Sequence, residues 1–399
     1  MSWPIKLHYD NYAGFRQPYL WVWYYEEGYP QDDFAPTGED EFGPVYDVSV
    51  KLPTFGFKFK EGPGLSHHWE DRSLDRTYHA VRKRSGKIYP SEIWARGYNA
   101  FIYTVEPRKP ESDSVETFLK QLSFKPGLYV PETGGLSGLG ANLLEDGRVL
   151  FGLYHPHAAR VHVMGSFNDW QHPGQPKPDK SKWVELKLYR GYFDLPNIWL
   201  GISDQAKAGD EYKFFIEGGV PKNEKGVAQL SVTDPYARYL GQDYSANNAV
   251  IVDPSAFQWA DQEWHAPDTS QLILYEMSVY GFTEGDPDIK PEHRGKFKGV
   301  TERTQAGYFD RLGVSALSLM PLAEVPSMQG PETLGYNSAL FLTIERDFGS
   351  PDDLREMVNS AHQKGLAVLI DEVFNHTSND FNPLWRLVLE HPDEEGDLA

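Results

Sequence analysis

The chain has 399 residues, room for several domains of ordinary size, and carries 58 acidic against 38 basic side chains, a formal charge of -20. That balance disfavours nucleic acid and anionic membranes as partners. The absence of cysteine excludes disulfides, thiolate metal sites and cysteine nucleophiles, and leaves the redox compartment open. Aromatic residues reach 14%, with 11 Trp, which fits either an aromatic-rich β core or flat faces for a ligand such as a sugar. The opening Met1-Ser2-Trp3-Pro4-Ile5-Lys6 holds no apolar run of signal-peptide length, and no later stretch approaches the ~18 apolar residues of a membrane span. A cytoplasmic chain is the expectation, an extracellular one if a signal was removed.

Residues 1–107 alternate in short apolar segments between Gly, Pro and Asp turns, the pattern of a β-sandwich. Strands are expected at Ile5 to Tyr9, Tyr19 to Tyr25, Tyr46 to Leu52, Phe55 to Lys60, Ser91 to Ala95 and Ala100 to Val105. Trp21 and Trp23, two apart, share one face of such a strand, either as an exposed aromatic platform or packed into the core. Trp21-x-Trp23, Phe55-Gly56-Phe57-Lys58-Phe59-Lys60, Asp71-Arg72, Glu92-Ile93-Trp94 and Phe101-Ile102-Tyr103 together resemble the α-glucan-binding modules at the front of pullulanases. The resemblance implies that Trp21 and Trp23 stack on glucose rings and that Asp71 hydrogen-bonds sugar hydroxyls. The family's loop lysine is missing from Ser66-His67-His68-Trp69-Glu70, where Trp69 is the substitute contact.

Residues 108–127 have linker composition, and Gly134 to Gly140 reads as a surface loop, since no Lys-Ser/Thr pair follows to make it a phosphate loop. Residues 128–266 read as a second β-sandwich, with strands at Val149 to Tyr154, Arg160 to Met164, Trp183 to Leu188, Glu211 to Glu217 and Ala249 to Val252. Met164-Gly165-Ser166-Phe167-Asn168-Asp169-Trp170, Tyr212 to Ile216 and Asp234-Pro235-Tyr236-Ala237 resemble the sandwich that precedes the barrel in isoamylases, pullulanases and branching enzymes. By that resemblance Trp170 is structural. His155, His157 and His162 have spacings a metal could use, but without a supporting carboxylate or thiol pattern they read as exposed strand histidines.

From Leu272 the pattern changes to alternating strand and helix, which predicts the first three or so βα units of a TIM-type α/β barrel over 267–399, completing a multidomain fold. Strands are expected at Leu272 to Val279, Val314 to Leu322 and Ala367 to Phe374. Helices are expected at Arg303 to Leu312 and Pro351 to Lys364, the latter capped by Ser350, with a short one around Leu384 to Glu390. Tyr275-Glu276-x-x-Val279, Gly335-Tyr336-Asn337-Ser338, Asp347-Phe348-Gly349 and Asp371-x-x-x-Asn375-His376, in this order, resemble the α-amylase family of retaining glycoside hydrolases and transglycosylases.

That resemblance implies that Tyr336 stacks under a glucose ring, that Asp371 and His376 bind around the same sugar, and that Asn375 sits where relatives ligate a structural calcium. The retaining reaction needs two carboxylates roughly 5 Å apart. In this family they come from later barrel strands, and the Gly-x-Arg-x-Asp pattern carrying the nucleophile is absent here. The expectation is therefore the N-terminal part of an α-glucan-active enzyme, inactive by itself. It would be partnered by the C-terminal half of the barrel on the same polypeptide or a second chain. A non-catalytic α-glucan-binding or scaffolding protein is the alternative. The choice between α-1,4 and α-1,6 linkages stays open.

Overall fold

The computed structural model describes residues 3–64, 68–70, 75–82, 88–124, 138–191, 194–220, 228–326 and 333–387. The first module is built from β1 (Trp3–Asp10), β2 (Pro18–Trp23), β3 (Asp32–Phe34), β4 (Gly38–Glu39), β5 (Pro44–Val50), β6 (Thr54–Glu61), β7 (Arg76–His79), β8 (Val81–Arg82), β9 (Ile88–Tyr89), β10 (Glu92–Arg96) and β11 (Ile102–Tyr103). One sheet runs β11-β10-β1-β5-β4, a second β3-β2-β6-β7, and β8 pairs with β9. Alternate residues of the two larger sheets, among them Leu7, Tyr9 and Ile93 against Leu20, Val22, Phe57 and Phe59, form a single core. Tyr9 stacks on Phe59 across it at 3.5 Å between ring centres.

The second module adds β12 (Pro110–Ser114), β13 (Gly140–Leu143), β14 (Val149–Tyr154), β15 (Arg160–Gly165), β16 (Val184–Glu185), β17 (Lys187–Arg190), β18 (Pro196–Ser203), β19 (Glu211–Glu217), β20 (Gln229–Val232) and β21 (Ala249–Val250). Its sheets run β12-β17-β18-β14-β13 and β16-β15-β19-β20, with β21 also on β19. Val149, Phe151, Val161, Val163, Trp199 and Phe214 fill the space between them. The single strand expected at Trp183 to Leu188 is instead two. The chain leaves one sheet after Glu185 and joins the other at Lys187, with Leu186 buried at the crossing.

Two further expectations are corrected here. Pro110–Ser114, within the expected linker, pairs in parallel with β17, and α1 (Val115–Leu119) follows it. Val115 and Leu119 pack with Leu150, Tyr189, Ile198 and Leu200 on the outer face of that sheet. Charged and Pro-rich composition marks an edge strand as readily as a linker, so composition alone did not separate the two. The histidines expected to be exposed are not: His155 and His162 are each 1% exposed and His157 is half-buried. The first module covers this end, where Phe101 stacks on His157 at 5.6 Å and Asn99 Nδ2 donates to the Pro156 carbonyl at 3.3 Å. Trp183 packs on His162. Residues 134–137 of the Gly-rich stretch and Asp71 lie outside the described residues.

The third module holds β22 (Leu274–Met277), α2 (Val279–Thr283), α3 (Phe297–Gln305), α4 (Tyr308–Leu312), β23 (Ala316–Leu319), β24 (Ala323–Glu324), β25 (Leu340–Ile344), α5 (Pro351–Gln363), β26 (Ala367–Ile370) and α6 (Pro383–Leu387). The helix expected at Arg303 to Leu312 is thus two, broken at Ala306-Gly307. The first and third strands are shorter than expected, because Ser278 caps α2 and the chain turns irregular at Asp371. The end of the expected last helix, residues 388–390, lies outside the described residues.

β22, β23 and β26 form a parallel three-stranded sheet in which Met277, Leu319 and Ile370 share a register. Phe297, Val300, Phe309, Met357 and Ala361 from the helices bury its near side. At the start of α5, Ser350 Oγ accepts from Asp353 N at 3.2 Å while Asp353 Oδ2 accepts from Ser350 N at 2.9 Å. This reciprocal cap satisfies two otherwise orphaned donors. Among the described residues no helix is long and apolar enough to cross a membrane.

Candidate functional site

The first candidate surface lies on the outer face of the β3-β2-β6-β7 sheet. Strand alternation sends Leu20 and Val22 fully into the core and leaves Trp21 and Trp23 half-buried on the other side. Their rings lie 4.8 Å apart at 35°. The loop after β6 folds back by an antiparallel bridge between Lys60 and Trp69, and this brings the Trp69 ring to 5.0 Å from Trp21 at 66°. The three indoles therefore line a corner.

Cross-strand register explains how the corner is seated. Gly56 lies opposite Trp23, and a Cβ there would fall 2.0 Å from the indole Cε2, so only glycine lets the ring lie against β6. Beside the rings, the buried Lys60 Nζ sits 2.7 Å from Asp33 Oδ1 and 5.6 Å from the centre of the Trp69 ring. Neighbouring Lys58 is 2.8 Å from Asp75. Sequence reading gave no site role to Gly56 and Lys60, which it met only as part of a motif, and did not single out Asp33. Their relevance comes from register across strands, although the Gly within Phe55-Gly56-Phe57 was a visible signal for a close approach.

The second candidate surface gathers beyond the C-terminal ends of the parallel strands, where open and barrel α/β sheets place their sites. Gly335, at φ 86°, turns the chain so closely against Pro321 that a Cβ would meet its carbonyl oxygen at 2.4 Å. That turn presents Tyr336, whose hydroxyl donates to Asp371 Oδ2 at 2.6 Å. The carboxylate partner raises the Tyr336 phenol above its ordinary range.

His376 Nε2 lies 2.9 Å from the Tyr336 carbonyl, to which it can only donate, and Nδ1 faces the Asn375 side chain at 3.1 Å. Ser338 joins the group: its carbonyl accepts from Ser378 N at 2.8 Å, and its hydroxyl lies 3.4 Å from Glu372. Burial raises the Glu372 carboxyl. The structure thus brings Tyr336, Asp371, Asn375 and His376 together on an exposed face. A phenol ring with an adjacent carboxylate and imidazole can stack on one ring of a polyol and bind its hydroxyls. For calcium the fit is poor, since Asn375 offers a single neutral oxygen, and among the described residues no three His, Asp or Glu gather for a metal.

Comparison with known proteins bears on both halves. Residues 267–397 match the family model for the alpha amylase catalytic domain, and residues 138–237 match carbohydrate-binding module 48, the isoamylase N-terminal domain. A 1,4-alpha-glucan branching enzyme GlgB from Corynebacterium jeikeium (strain K411) is 31% identical over 262 residues, covering 64% of this chain and 32% of the relative. The protein of the same name from Hydrogenovibrio crunogenus (strain DSM 25203 / XCL-2) is 29% identical over 392 residues, covering 92% of this chain and 48% of the relative. A malto-oligosyltrehalose trehalohydrolase from Saccharolobus solfataricus (strain ATCC 35092 / DSM 1617 / JCM 11322 / P2) is 28% identical over 248 residues, covering 62% and 36%. The chain therefore spans about a third to a half of the length of these curated relatives.

Proposed function

We propose, for a chain whose residues 267–397 match an α-amylase catalytic domain behind a module of the isoamylase N-terminal type, that it is the glucan-cradling part of an α-glucan-active glycoside hydrolase or transglycosylase. The observation that carries this reading is the joined set Tyr336, Asp371 and His376 at the C-terminal ends of parallel strands. Tyr336 offers its ring to one glucose unit, and Asp371 and His376 take hydroxyls of the same unit. Calcium at Asn375 would need most of its oxygens from elsewhere.

The three parallel strands serve as the opening units of an eight-stranded barrel. In support, Leu274, Ile370 and Phe374 are 54%, 51% and 73% exposed, although parallel sheets are ordinarily covered on both faces. Further strands, on the same polypeptide or a second chain, would cover them and bring the reacting carboxylates. Light scattering on the 399-residue chain is expected to show self-association driven by this face. A stable monomer of 45.4 kDa with a cooperatively melting third module would refute the need for a complement.

The aromatic corner of the first module is proposed as an α-glucan-binding surface formed by Trp21, Trp23 and Trp69, with Asp71 as a polar contact. Taking stacking at about 1 kcal/mol per ring, Trp21→Ala with Trp23→Ala should weaken glycogen affinity roughly 30-fold. Equal retardation of wild type and double variant in glycogen-containing gels would overturn the assignment. The corner by itself favours a second reading, a non-catalytic glucan-binding protein. Robust starch turnover by this chain would contradict both that reading and the absence of the reacting carboxylates.

A further inference from the structure

Among the described residues β24 and β25 pair only with each other, in a two-stranded antiparallel sheet whose connecting segment carries Tyr336 and Ser338. A lone hairpin is marginally stable in water, so something else must fix it. The fixing contacts run to the second sandwich. Leu340 of β25 joins that sandwich's core, and Thr343 Oγ1 donates to the Ala237 carbonyl at 2.5 Å.

The largest tie is Arg346, which is 3% exposed. Its Nε donates to Glu324 Oε1 at 2.8 Å, and Nη2 lies 2.7 Å from the same oxygen. On the sandwich side, Nη1 donates to the Gly241 carbonyl at 2.7 Å and Nη2 to Asn247 Oδ1 at 2.5 Å. The Tyr244 ring lies 4.3 Å beneath the guanidinium, and its hydroxyl donates to Asp347. Glu324 stands at the entry to the Tyr336 segment, where its carbonyl also accepts from Ala339 N at 2.8 Å. Glu345 closes the other side, accepting from Val325 N at 3.1 Å and Asp347 N at 3.0 Å. Burial raises both of these carboxyls.

We infer that Arg346 is a positioning residue through which the second sandwich sets the place of Tyr336 in the candidate site. The planar fork spans Glu324 of the hairpin and two acceptors of the sandwich at once, and so joins the two bodies at the root of the Tyr336 segment. Lysine keeps the charge but, as a single point donor, does not span those three acceptors. The sandwich acts here as a wall for the neighbouring site, independently of any sugar it holds itself.

Hydrogen–deuterium exchange on the full 399-residue chain tests this without reference to substrate. In Arg346→Lys, amides of residues 334–340 and 375–378 should exchange at least tenfold faster, while those of β14 and β19 stay within twofold of wild type. Unchanged exchange at 334–340 would overturn the inference. So would an equal rise in all four segments, which is what a merely structural residue produces. Should Arg346→Lys not fold, Asn247→Gly keeps the positive φ of that position, 49°, and removes one acceptor. It is expected to raise exchange at 334–340 at least threefold, and no rise there would equally overturn the inference.

Discussion

Arg76→Met is expected to destabilise the first sandwich by about 3–5 kcal/mol, the cost of leaving one member of a buried ion pair without its partner. Both side chains of the Glu70–Arg76 pair have no exposed surface, and Nη2 reaches Glu70 Oε2 at 3.0 Å. The same guanidinium donates to the carbonyls of Arg96 at 2.8 Å and Asn99 at 2.6 Å, which joins β7 to the end of the other sheet. It also lies 5.7 and 5.6 Å from the centres of the Phe57 and Phe59 rings.

Glu70 in turn accepts from Phe59 N at 3.1 Å and directly follows Trp69. The pair therefore anchors the segment that brings the third indole to the aromatic corner, so glucan retention should fall together with stability. Urea unfolding followed by tryptophan emission, beside retardation in glycogen gels, measures both. A midpoint shift worth less than about 1 kcal/mol with unchanged retardation would remove this pair from the argument. Glu70→Gln combined with Arg76→Met should recover part of the loss, because no unpaired charge then remains in the core.

Acid should destabilise the second module through His155. Burial, and secondarily the charge of His157, lowers the His155 imidazole from 6.5 to about 3. The unfolded chain takes up a proton below its ordinary value near 6.5 while the folded chain refuses it. The stability that His155 contributes is therefore whole above about pH 6.5 and declines as pH falls toward 3. At pH 4.5 the loss amounts to roughly 2–3 kcal/mol relative to pH 7.5.

Asp234 opposes this trend. Its carboxyl, raised by burial to about 6, becomes protonated in the folded chain before the unfolded one, so it favours folding as pH falls through that range. The informative quantity is thus a difference: the urea stability of wild type minus that of His155→Gln, at pH 7.5 and 4.5. It should move against the wild type by roughly 2–3 kcal/mol on acidification, and a pH-independent difference would refute the burial argument.

Much of the site is a consequence of local pattern. The alternation along β2 puts Trp21 and Trp23 together on the face opposite Leu20 and Val22. An aliphatic run entering Asp371 places that carboxylate just past a parallel strand, beyond Ile370. These outcomes need only the two-residue repeat of a strand and the short reach between neighbours in the chain, which is why the sequence by itself determined them.

What only the tertiary structure decided rests on partners distant in sequence. Pro110–Ser114 became a strand because β17, beginning at Lys187, offers an open edge to it. His157 lost much of its water because the loop containing Asn99 and Phe101 closes over it. Gly56 matters through its register with Trp23, and Arg346 through Gly241 and Asn247 of another module. Each of these depends on which surfaces meet after the modules fold. Local propensity is silent on that choice, because the burial energy that selects it arises only when the distant segments are already in contact.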